Sequence, residues 1–159
     1  MLFRSGNRQG RPVVLSILKN TIVGPYDGET RALYVFIVAV MLRCYALRAA
    51  WNPEGLDAVY SVFQQDLPIS VTATAYFFGL MAQDRDICMD ILSQRTDLIE
   101  AFSNLQEYPT DTQAAMLFAL QSFVLVGQGK NYIVHNMNNI LNDLITLSCG
   151  HVFPFSLPK

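Results

Sequence analysis

The chain is expected to be all-α, a right-handed superhelical stack of helical repeats about 42 residues long, and three observations lead there. First, Leu56, Leu98 and Ile140 lie 42 residues apart, twice over. Each opens one apolar helical face: Leu56, Tyr60, Phe63 and Gln64, then Leu98, Phe102, Leu105 and Gln106, then Ile140, Leu144, Leu147 and Ser148. Each copy follows a residue that tolerates a left-handed turn, Gly55, Asp97 or Asn139. Second, the upstream halves keep the same register, aligning Tyr34 with Tyr76 and Phe118, and Phe36 with Phe78 and Leu120. Third, no useful stretch alternates with the period of a strand. Helical units of this length bury their apolar faces against the next unit rather than within themselves.

The elements follow in order. Residues 1–10, with Asn7, Gln9 and two glycines, read as a basic arm. Pro12 suits a first helical turn, Val13, Val14, Ile17 and Leu18 supply an apolar stripe, and Gly24-Pro25 stops a capping helix over 11–24. The first unit, 25–66, holds a long helix over 29–49. A second helix follows, started by Asn52-Pro53-Glu54 as N-cap, first-turn proline and early acid, and ending near Gln65. Asp66 and Pro68 open the second unit, 67–108, with a long helix to about Gln83 and shorter ones over 86–94 and 96–107. Pro109 breaks the chain, and Thr110 with Gln113 predicts a capping box for the third unit, 109–149. Its helices are expected over 111–126, 130–137 and 139–148, and residues 150–159 form a proline-broken extended tail.

At 159 residues the chain suits one domain with a real core. Apolar residues make up 52% and charged ones 15%, so much of the surface must be buried or covered. Residues 1–50 hold seven basic and two acidic groups, and the rest four and eleven. That asymmetry suits head-to-tail packing or an acidic partner for the front half, beside the plainer reading of ordinary solvated faces. Cys44, Cys88 and Cys149 are scattered without metal or disulfide-framework spacing, which fits a reducing, intracellular compartment. The apolar runs 32–42, 71–82 and 114–126 span 11, 12 and 13 residues. A bilayer core needs about 20, so these are read as core helices and no transmembrane segment is expected. The apolar stretch 13–18, six residues long with Ser16 inside it, is also too short for a secretory signal.

Enzymatic and metal readings fail on spacing. Asp84, Asp86, Cys88 and Asp90 fall near the alternate positions of a calcium loop, but Met89 stands where its glycine belongs and Arg95 where its glutamate belongs. The stretch Gly127-Gln128-Gly129-Lys130 resembles a phosphate loop. Val124 replaces the first glycine, Asn131 replaces the Ser or Thr, and a helix precedes it, so it is read as an inter-helix turn. Neither His135 nor His151 sits beside a candidate nucleophile, and Cys149 with His151 cannot fill a four-ligand site. No catalytic residue, cofactor or metal is expected.

What remains is surface. The three long helices are apolar nearly all round, although a two-layer stack should leave one face wet. Positions 38, 80 and 122 hold Val38, Leu80 and Ser122, and one turn earlier lie Val35 and Phe77. An exposed apolar strip there reads as a partner groove, the alternative being cover by the capping helix or the tail.

The period near 42 residues is that of an armadillo or HEAT-type stack, and the segments Thr72-Ala73-Thr74-Ala75-Tyr76-Phe77-Phe78-Gly79-Leu80-Met81-Ala82 and Ala114-Ala115-Met116-Leu117-Phe118-Ala119-Leu120 resemble the third helix of an armadillo repeat, where small residues let helices approach. Armadillo proteins that bind extended peptides carry asparagines at positions matching Val38, Leu80 and Ser122, which this chain lacks. More narrowly, Leu80-Met81-Ala82-Gln83-Asp84-Arg85 followed by Met89-Asp90 resembles the helical domain of wings apart-like proteins, which promote release of cohesin from chromatin. The gap from Arg85 to Met89 is one residue longer here, and the resemblance spans 31–106. It implies a nuclear protein–protein module acting on cohesin subunits or associated factors, without base readout of nucleic acid, and adds Asp84 and Arg85 to the expected partner-binding set. A membrane-associated helical protein and an armadillo adaptor unrelated to cohesin are the alternatives.

Overall fold

The computed structural model describes residues 10–43, Arg48 and residues 53–137. The expected helix at 139–148 with Ile140, Leu144 and Leu147, the tail, the Asn52 cap and most of the basic arm lie outside the described residues. Among those described, the chain is helical throughout, with no strand. Helix α1 spans Gly10–Ile22, α2 Gly28–Leu42, α3 Pro53–Phe63, α4 Pro68–Met81, α5 Arg85–Gln94 and α6 Thr96–Ser103. A 3-10 turn at Leu105–Glu107 precedes α7, Thr110–Val124, and α8, Gly127–Asn136.

Short polar side chains and prolines set the starts. Asp27 caps α2, its carboxylate accepting from the Thr30 amide at 2.9 Å and the Thr30 hydroxyl at 2.7 Å. Those bonds, the amide first, hold the Asp27 carboxyl below its ordinary range. The cap therefore supports the fold above that range and is lost as pH falls through the lowered value. Asp66 takes a positive φ of 53°, turning the chain into Pro68 at the head of α4. The expected capping box does not form. Pro109 occupies the cap position with ψ 156°, Thr110 is already helical, and Gln113 donates to the Tyr108 carbonyl at 2.8 Å. Gly127 likewise begins α8 instead of forming a turn ahead of Lys130.

Helices α2, α4 and α7 lie side by side with α4 in the middle, α3 and α6 pack behind them, and α5 pairs with α8. This arrangement explains why α4 is apolar almost all round. Neighbours on both sides bury Val71, Ala75, Phe77, Phe78 and Met81, leaving one open stripe through Ile69, Thr72, Tyr76, Leu80 and Gln83. Side chains 37 to 42 residues apart tie the helices together: Tyr60 donates to Asp97, Arg95 to Asp57, and Tyr108 to Asp66 at 3.3 Å, while the Thr72 and Thr112 hydroxyls meet at 2.8 Å. Arg95 is buried and also reaches Asp90 at 3.0 Å, whereas the Asp57 side chain is 71% exposed, so water screens that pair.

The Tyr60 phenol is raised above its ordinary 10.0 mainly by donating to Asp97, and Tyr108 is raised by burial and then by Asp66. A raised phenol favours the fold fully below the ordinary value and loses that contribution as pH climbs through the folded one. An ultraviolet titration of the native chain should therefore show a late-ionising phase. Combining Tyr60→Phe with Tyr108→Phe should delete it, and persistence of the phase in that double variant would refute the assignment.

Candidate docking cleft

The expected partner strip is largely core. Val35, Val38 and Phe77 are 0% exposed and Ser122 is 2% exposed, its hydroxyl bonded to the Phe118 carbonyl at 3.0 Å. The correction has a simple geometric cause. Sequence spacing places 35, 38, 77 and 80 on one face, but on α4 the open stripe runs through 76 and 80, one residue round the helix from Phe77. Leu80 does reach the surface, partly buried. Asp84 instead caps α5, accepting from the Asp86 amide at 3.1 Å, and Arg85 is exposed at the first position of that helix. Neither joins the strip.

The structure assembles a different face. A cleft of about 580 Å³ is lined by Phe36, Ala39, Val40 and Arg43 from α2 and its end, by Arg48, by Tyr76, Leu80 and Gln83 from α4 and its end, and by Phe118 from α7. The residues on α2 and α4 recur at i, i+4 and i+7, so each helix offers one stripe to the same space. Their rings form a row across the three helices: Phe36 to Tyr76 is 6.1 Å between centroids and Tyr76 to Phe118 is 5.7 Å. Phe118, 42 residues after Tyr76, meets its ring. From α2, however, the ring that meets Tyr76 is Phe36, and Tyr34 packs with Tyr26 at 6.2 Å.

Gly79 sets the width of the row. A Cβ there would lie 2.7 and 2.8 Å from the Phe118 ring and 3.0 Å from the Ala119 Cα, so only glycine lets α4 and α7 approach this closely. At the far end Arg48 donates to the Leu42 carbonyl at 2.6 Å and to Gln83 Oε1 at 3.1 Å, holding its guanidinium beside the exposed Arg43. Among the described residues, no acidic side chain lines the cleft. Val40 is 66% exposed, and the apolar stripe continues on α2 through Leu33 and Ile37. Sequence reading missed Phe36, Val40, Arg43, Arg48, Tyr76 and Phe118 as a site. The available signal was the 36/40/43 and 76/80/83 spacing.

Among the described residues, no group of three or more His, Cys, Asp or Glu side chains is placed to hold a metal ion. Cys88 is buried and its thiol is pushed up to about 11, so it is not a ready nucleophile. No described helix is long and apolar enough to cross a membrane. No protein-family profile, curated protein or solved structure matches the chain.

Proposed function

We propose that this chain is a non-enzymatic helical-repeat module that binds another protein through the aromatic cleft. The observation that carries the reading is the open row of Phe36, Tyr76 and Phe118, with Val40 and Leu80 beside it, on the one side of α4 that no described helix covers. Water-facing apolar surface of this kind is retained where a partner buries it. Ties between residues about one repeat apart support a superhelical stack of the armadillo or HEAT sort. The cohesin-release specification rests on the Leu80 to Arg85 run and Met89-Asp90 alone. Within that run Asp84 has a local use as a helix cap.

The test is affinity purification from the native source with wild type, with Val40→Lys combined with Tyr76→Ser, and with the control Glu100→Lys on α6. The cleft variant should keep its circular dichroism spectrum and lose the partner that both other chains capture. Identical captures by all three would overturn the reading. Cohesin subunits among the proteins lost would support the wings apart-like specification, and their absence would remove it.

A further inference from the structure

We propose that the outer face of α2 pairs two copies of this chain, helix against helix and antiparallel, about a two-fold axis beside Ile37. Helices α1, α3 and α4 pack on α2, yet it still exposes Glu29, Leu33, Ile37 and Val40. Leu33 is 54%, Ile37 48% and Val40 66% exposed, so two turns of the helix show water an unbroken apolar stripe. At about 100° per residue, Glu29, these three and Arg43 fall within roughly 120° of the helix circumference. The other outer helix of the layer differs. Ahead of its last residue α7 exposes Thr110, Asp111, Ala114 and Gln121, none of them large and apolar. A second copy that covers the α2 stripe through its own α2 requires that the stripe be its own complement.

The charges at its ends meet that requirement. Glu29 stands in the first turn of α2 and Arg43 at its carboxyl end, both exposed. Each suits the dipole of its own helix, but the dipole gives no reason for wet apolar residues between them. With two copies of α2 antiparallel, an axis beside Ile37 sets Leu33 of one copy against Val40 of the other. The same axis brings Glu29 within about one residue, roughly 1.5 Å along the helix, of Arg43 of the other copy. Two ion pairs then close the two ends of the stripe. A parallel pairing would set acid on acid and base on base, so charge selects the antiparallel one. The patch is small, which places the dimer in the weak, transient class, with a dissociation constant of roughly 10–500 μM.

The test is sedimentation equilibrium of the full chain from about 5 μM to about 1 mM. Wild type should pass from the mass of one chain to that of two as concentration rises. Leu33→Lys combined with Ile37→Lys should stay monomeric with an unchanged circular dichroism spectrum, and neither position lines the aromatic cleft. Glu29→Arg alone and Arg43→Glu alone should each weaken dimerisation roughly five- to tenfold at low salt. The chain carrying both exchanges should regain the wild-type affinity, because each end again meets its opposite. A wild-type monomer at every concentration would overturn the proposal. A dimer that survives the lysine pair would overturn this face, and one that the lysine pair abolishes but the double exchange does not restore would overturn the antiparallel pairing. A monomer that sediments with phosphatidylcholine vesicles, and no longer does so with the lysine pair, would assign the stripe to a lipid surface. Dimerisation seen only after Phe153→Ala with Phe155→Ala would assign it to the chain's own tail. Either of those results would also overturn the second copy as occupant.

Discussion

Phe77→Asp is expected to unfold the chain. Phe77 is 0% exposed on the central helix α4, with its ring edge-on to Phe78 at 5.2 Å between centroids. Removing a buried phenylalanine costs about 3–5 kcal/mol, and stranding a carboxylate in its place adds several more. Small domains hold about 5–15 kcal/mol in all. Far-ultraviolet circular dichroism in water should therefore lose most of its helical signal. One residue away, Tyr76→Asp should retain it, because Tyr76 is 37% exposed and its substituent can reach solvent. Equal behaviour of the two variants would mean that the open stripe of α4 is misplaced.

Phe102→Ala comes next in size, with an expected loss of about 3–5 kcal/mol. Phe102 is 0% exposed on α6 and meets Phe63 of α3 edge-on at 6.0 Å, while Phe63 stacks on Tyr60 at 5.9 Å. That chain of rings joins α3 to α6, so its loss should loosen the two helices and lower the urea midpoint. A change below about 1 kcal/mol would place Phe102 against water rather than between α3 and α6.

The same residues show how far the sequence could be read. Local chemistry was legible: Pro68 after Asp66 opens α4, Pro53 heads α3, and Gly24-Pro25 follows α1. The aspect that failed was the phase of the wet stripe. A helix flanked on both sides buries nine of its fourteen residues, so its sequence offers almost no polar contrast to mark the open side. Spacing alone consequently assigns Val35, Val38 and Phe77 to the surface, where the structure buries all three. Arg43 and Arg48 were missed for another reason. Their meeting with Gln83 joins residues 35 or more apart and depends on how two helix ends pack, which no local spacing encodes. Thr110 failed as a cap because Pro109 fixes the extended backbone one position earlier.

Gly79 gives the cleft an aperture governed by the absence of one carbon atom. Because a methyl group there would press first on the Phe118 ring and then on the α7 backbone, the width of the cleft and the tightness of the core are adjusted by the same position. Alanine at this site would widen the row and loosen the seam between α4 and α7 in one step, so neither property can drift without the other. A change in the shape of the cleft would be felt as a change in folding, and glycine is the one residue that satisfies both.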